Sequence, residues 1–208
     1  MGMNAVRFEK PLRWGELDVP LFGISSDWFG KPVQPPVAWS LALDPERFWF
    51  IASHGRPASI HPKARPGRFL AELWKFDVAE LFIADPGSGR YLELNLSPNS
   101  AWWSCEFSAP RVRTSPDESE WPGVETFAEL AADGTWVAAM ALPLATLRER
   151  LSFGETTTAN FTFIVESPEQ RFLSASPLGD GEPDFHRPEK FQPLRIHDGG
   201  LPGTGSHP

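Results

Sequence analysis

The stretch "LWKFDVAELFIADPGSGRYLELNLSP", residues 73–98, sets a tryptophan, Trp74, a few residues from two carboxylates, Asp77 and Glu80. An indole face is an apolar platform with a negative quadrupole, and a carboxylate is a strong charged acceptor. Together they can hold a ligand that has an apolar side and a rim of donors. Each residue also has a plainer role. Trp74, beside Leu73, reads as a ligand platform or as an anchor of its loop to the core. Asp77 reads as a ligand group or as an acceptor for local backbone N–H groups. Glu80 lies in an apolar run; turned inward, it needs an arginine or a ligand, because an unpaired buried charge is too costly to keep.

Other chemistries lack their spacing. His54, His61, His186 and His197 are dispersed, without the close pairs of a zinc site. There is no G-x-S-x-G, P-loop or G-x-G-x-x-G motif. No two acids are held by spacing at a glycosidase separation. Met140, the one methionine away from the N-terminus, lies in a strand that reads as buried, which argues against haem. The turns "DPGSG" (85–89) and "GDGEPD" (179–184) are oxygen-rich and read as plain turns or as structural calcium ligands. Trp102 and Trp103 are adjacent in a strand and face opposite sides. At most one of them packs in the core, and the other is a candidate surface platform.

The elements that must carry these residues are mostly strands. The chain has 22 prolines and 17 glycines in 208 residues, too many for a helical protein and natural for short strands joined by turns. Residues 35–44 alternate Val37, Trp39, Leu41 and Leu43 against small residues, and 47–54 follow as the second arm of a hairpin. Residues 77–84 and 90–97 form a hairpin around Asp85-Pro86-Gly87, with Leu92, Leu94 and Leu96 alternating against Glu93, Asn95 and Ser97. Strands follow at 101–108 and 111–115, on either side of Asp133-Gly134, at 159–168 and 171–177, and at the end of 178–196. Residues 17–24 read as an edge strand. Residues 143–151 read as the one helix, with Leu144, Leu147 and Leu151 at helical spacing. A Pro/Gly/Arg-rich loop spans 55–72, a length that often serves function, and a polar loop spans 115–123. The pattern predicts an all-β chain, an antiparallel β-sandwich of jelly-roll type with one short helix.

The length suits one domain over residues 1–208. The net charge of −8, with no local Lys/Arg run, argues against nucleic acid as a partner. The single cysteine, Cys105, excludes an intrachain disulfide. The N-terminus carries charges early and no apolar stretch, and no run approaches the roughly 18 apolar residues a membrane span needs. A cytoplasmic address is the expectation.

Four segments resemble family 9 carbohydrate-binding modules, within the wider DOMON-like group of β-sandwiches. Trp74, Asp77 and Glu80 resemble that family's "W-x-x-D-x-V-E-[IL]-F" segment. "RYLELNLSP" is similar to its next strand, "GTWVAAMALPLATL" (134–147) to its strand and helical turn, and "FHRPEKFQPLRI" (185–196) to its closing element. With the strand pattern they span a core of about residues 35–196. The resemblance implies two aromatics that clamp a sugar, here Trp74 and Phe185, the second being tryptophan in well-known sugar binders. It implies that Glu80 bonds sugar hydroxyls. It also implies an arginine on the following strand, where this chain has Glu93. Structural calcium is common in the family.

A sugar ring has an apolar C–H face and a hydroxyl rim, which aromatic faces and carboxylates respectively suit. Trp74, Phe185, Glu80, Asp77, His186 and Arg187 could make such a clamp at one end of the sandwich. Phe185 could instead simply cover that end. The resemblance thus implies a non-catalytic domain that binds a carbohydrate or similar small polar ligand. The alternative is a structural or protein-interaction domain that keeps the fold and has lost the sugar site, which Glu93 in place of arginine favours.

Overall fold

In the computed structural model, which describes residues 2–116 and 120–198, period-2 alternation divides each central strand between two faces. β3 (Pro32–Leu43), β4 (Arg47–His54), β9 (Glu125–Leu130) and β10 (Trp136–Pro143) form one half of the molecule. β5 (Val78–Asp85), β6 (Arg90–Leu96), β7 (Trp102–Ala109), β8 (Val112–Arg113), β11 (Thr158–Val165) and β12 (Arg171–Ser174) form the other. The inward residues of both halves meet in one core. Val37, Trp39, Leu41 and Phe50 come from the first half, and Leu81, Leu94, Phe161 and Phe163 from the second. Trp39 stacks on Phe161 with ring centroids 5.3 Å apart, across the gap between the two halves.

The halves are joined rather than merely stacked. β1 (Met3–Arg7) pairs in parallel with both β3 and β13 (Gln192–Asp198), and β13 pairs with β11. One continuous mixed sheet therefore curls over the core. This corrects the expectation of a purely antiparallel sandwich. β1 and β13 come from the two ends of the chain and are not tied to their partners by hairpins, so nothing local imposes an antiparallel direction. β2 (Phe22–Ser26) pairs with the start of β3. It begins later than the predicted strand at 17–24, because Leu12, Trp14, Leu17 and Val19 instead pack as a strap over Trp49 on the outer face of the first half.

The hairpins follow the turn chemistry. Asp44 Oδ1 accepts the N–H groups of Glu46 and Arg47 at 2.8 Å, which fixes the β3–β4 turn. Gly134, at φ +89°, forms the β9–β10 turn; a Cβ there would come within 2.4 Å of Pro57. α1 (Leu144–Leu151) follows Pro143 directly and buries Leu144, Leu147 and Leu151. Among the described residues, no helix is long and apolar enough to cross a membrane. Of the predicted 115–123 loop, residues 117–119 lie outside the described residues.

Candidate ligand-binding site

The alternation that sends Leu81 and Leu94 into the core sends Glu80, Phe82, Glu93 and Asn95 to the opposite face of β5 and β6. Glu80 stands opposite Asn95 and Phe82 opposite Glu93, so the two glutamates are diagonal neighbours across the pair. β11 adds Thr162 beside Glu80, and β7 adds Trp103 beside Asn95. This face is not solvated. Two segments roof it. The 55–72 loop crosses β7 through Leu70 N–H to Trp102 O at 2.8 Å, and ends in a short 3-10 turn, Leu73–Lys75, that presents Trp74. The segment before β13 brings in Pro183, Phe185 and His186.

Between floor and roof lies a cavity of about 340 Å³, in the size range of small-molecule sites. Trp74, packed edge-to-face on Trp103 at 5.5 Å, makes one wall. Phe82, Phe172 and Phe185 make another, with Phe185 6.4 Å from Phe82 and 6.1 Å from Phe172. Phe107 and Ile164 complete the apolar lining. Glu80 and Glu93 lie in its floor, and Arg111 and Arg113, from the β7–β8 turn and β8, stand at the rim. The Arg111 guanidinium, largely exposed, pairs with Asp184 at 2.8 Å. That of Arg113 lies 5.5 Å over the Trp103 ring.

The acids sit in unusual surroundings. Glu80 is 2% exposed and accepts one bond, from the Thr162 hydroxyl at 3.0 Å. Burial, and then the neighbouring charge of Glu93, hold its pKa well above the usual carboxylate range. Burial likewise pushes Glu93 up to about 7, against the opposing pull of the Asn95 side chain, Arg111 and Arg113. His186 Nε2 lies 3.6 Å from Glu93, yet burial and then the Arg111 charge press His186 down to about 4, so the ring is neutral. The Tyr91 hydroxyl accepts the Arg111 N–H at 3.0 Å and shares a hydrogen bond with His186 Nδ1 at 2.7 Å. Tyr91 keeps its proton, because burial raises it to about 12.

The structure brings four of the six predicted site residues, Trp74, Glu80, Phe185 and His186, to one cavity. It places the other two elsewhere. Asp77 is buried and accepts the backbone N–H groups of Ser167 at 2.9 Å and Ser59 at 3.2 Å, so it ties the long loop to the end of β11. Arg187 donates to the Leu178 and Asp180 carbonyls and lies 5.5 Å over Trp28, bracing the loop that carries Phe185. Neither lines the cavity. Among the described residues no arginine forms an ion pair with Glu80; Thr162, which the register sets directly across from it, bonds it instead. The cavity opens on a sheet face rather than at an end of the sandwich, because its floor strands are covered only by loops.

Sequence reasoning passed over Phe82, Phe107, Arg111 and Arg113, and treated Glu93 only as a departure. The signal was available in part: Glu80, Phe82 and Phe107 are bulky or charged residues on strand faces opposite the leucine rows. Of Trp102 and Trp103, Trp103 is the one turned away from the main core. It is 1% exposed and packs in a second apolar cluster on the outer face, while Trp102 enters the main core.

The oxygen-rich turns do not fit calcium. Asp85 takes the Gly87 N–H at 3.0 Å and the Ser88 hydroxyl at 2.8 Å, and Asp184 takes Arg111 and the His186 N–H. Both carboxylates are used by protein donors. Among the described residues, no three His, Cys, Asp or Glu side chains converge on a metal site.

No family model matches the sequence, and no curated protein matches it at a significant level. Solved structures do share its architecture. A proposed carbohydrate-binding protein from Bacteroides uniformis superposes with a TM-score of 0.68 at 16% identity, over 93% of this chain and 99% of that one. A family 9 carbohydrate-binding module from Caldicellulosiruptor kristjanssonii in complex with glucose gives 0.63 at 13% identity, over 97% and 98%. A family 9 carbohydrate-binding module from the same organism in complex with cellotriose gives 0.62 at 15%, over 98% and 97%. The chain has the β-sandwich fold of family 9 carbohydrate-binding modules, as the four segments led one to expect.

Proposed function

We propose that the protein binds carbohydrate without catalysis, with one sugar unit held in the cavity between Trp74 and Phe185 over Glu80 and Glu93. One observation carries the reading. Two aromatic walls and two carboxylates, drawn from four separate segments, line a single cavity of a small ligand's size. Aromatic faces suit the ring's C–H groups, and the acids and His186 suit its hydroxyls. The modules with this fold that have been solved with glucose and with cellotriose support it.

The placement of the acids supports binding over hydrolysis. Glycosidase carboxylates flank the scissile bond. Glu80 and Glu93 rise from one floor, on adjacent strands, and reach the same side of any ring above them. Tryptophan fluorescence titrated with mono- and oligosaccharides, beside Trp74→Ala, tests the proposal. The expected result is a saturable change in the parent protein that vanishes in the folded variant. A flat response from the parent protein across the panel would instead favour the interaction domain that has lost its sugar site.

A further inference from the structure

The cavity floor holds two buried carboxyl groups, more acid than a neutral sugar requires. Among the described residues, neither Glu80 nor Glu93 forms an ion pair with a lysine or arginine. Among the described residues the basic groups of the cavity are Arg111 and Arg113 at its rim and His186, whose Nδ1 is hydrogen-bonded to the Tyr91 hydroxyl. A second observation concerns the polar groups beside them. The Asn95 side chain, 0% exposed, is turned to Glu93 and helps to hold its charge, yet neither of its amide atoms nor Trp103 Nε1 makes a hydrogen bond of good geometry. Asn95 stands between Glu80 and Trp103 in the sheet register, on the cavity side. Buried polar groups of this kind call for a partner. The aromatic faces around them attract cations when water is excluded.

We propose that the cavity selects a carbohydrate unit bearing a protonated amine, an amino sugar, with its ammonium seated on Glu80 and Glu93 against Phe82 and Trp103. An ammonium has three donors and one positive charge. It satisfies both carboxylates and the Asn95 carbonyl, which a hydroxyl cannot do at equal strength. Neither arginine forms an ion pair with the acids: Arg111 is held at the rim by Asp184, and Arg113 lies over the Trp103 ring. The groups facing Glu93 are Glu80 on β5, Tyr91 on β6, Asp184 and His186 on the closing segment, and Arg111 and Arg113 around β8. Of these, Glu93 itself changes charge near neutrality, at about pH 7. Affinity for an amine that stays protonated across this range therefore strengthens as pH rises through that point, whereas an amino sugar's less basic amine begins to lose its proton just above it.

The inference rests on the carbohydrate reading, and its test keeps the two apart. Parent protein and Glu93→Gln are titrated by fluorescence with glucosamine, glucose, N-acetylglucosamine and cyclohexylamine. Glucosamine is expected to bind the parent at least about tenfold more tightly than glucose, as for a desolvated cation among aromatic faces. N-acetylglucosamine, which is neutral, should match glucose, and the glucosamine preference should collapse in Glu93→Gln. Glucose binding as tightly as glucosamine overturns the amine selection and leaves the sugar site standing. Cyclohexylamine binding as tightly as glucosamine, with no sugar bound, upholds the cation seat and removes the carbohydrate reading. Binding of none of the four overturns both.

Discussion

Glu93 is the residue on which the electrostatics of the site turn, and its effect on stability has a definite sign. A carboxyl raised from 4.5 to about 7 holds its proton better in the folded chain than in the unfolded one. Its favourable contribution is complete below about pH 4.5 and is lost as pH climbs through about 7. Glu93→Gln removes that loss. Thermal unfolding across pH should show the variant gaining on the parent above pH 7, by up to about 3 kcal/mol, with the gap closing in acid. Parallel profiles would refute the buried charge. His186 acts in the opposite direction: pressed from 6.5 to about 4, it favours the fold above 6.5 and its contribution is lost as pH falls toward 4. That limb should appear in both proteins. Tyr91→Phe should destabilise the chain by roughly 1 kcal/mol, because it removes the partner of two part-buried groups, the Arg111 N–H and His186 Nδ1. Arg111 sits at φ +60°, a backbone geometry this bond helps to hold. At this scale Trp74, Glu80, Phe185 and His186 could be read from sequence because each is an odd residue in a recognisable segment. Arg111 could not, because its importance comes from a backbone N–H meeting a side chain 20 residues away.

Elements position these residues through contacts that local patterns encode unevenly. Strands with strict alternation, such as β3 and β6, were legible because one face is core. β1 was not, since five residues without alternation carry little signal and its partners come from both ends of the chain. The 55–72 loop read as functional by length, and it leads into the turn that carries Trp74. Asp77 pins that arrangement, taking the backbone-acceptor role of its two readings rather than the ligand role. Asp77→Ala leaves two part-buried backbone N–H groups, of Ser59 and Ser167, without an acceptor. It should cost about 1–3 kcal/mol in denaturant unfolding and weaken sugar binding through a displaced Trp74. Gly134→Ala offers the contrast. Its turn lies against Pro57 with a left-handed backbone, so substitution should destabilise by more than about 1 kcal/mol. Gly134 is not part of the cavity, so sugar affinity should hold in the folded fraction. Equal losses of affinity in both variants would mean that the cavity responds to general loosening rather than to the loop.

At the scale of the molecule, a curled mixed sheet buries one face in a shared core and covers the other with straps. The strap of residues 12–19 seals the first half by packing Leu12, Trp14, Leu17 and Val19 on Trp49. The covering over the second half is incomplete, and the cavity is what remains. The sandwich class followed from turn density and alternation, but its closure through two parallel pairs did not, because pairing between chain ends leaves no mark on local sequence. A binding module with both acids on one floor should release no nitrophenol from nitrophenyl glycosides above the buffer rate, and sustained turnover would make it an enzyme. The most direct measurement is a crystal structure of the protein soaked with whichever sugar gives saturable fluorescence. Density for one ring between Trp74 and Phe185, with polar atoms on Glu80 and Glu93, is the expected result. A ring bound on any other surface, with this cavity unchanged, would contradict it.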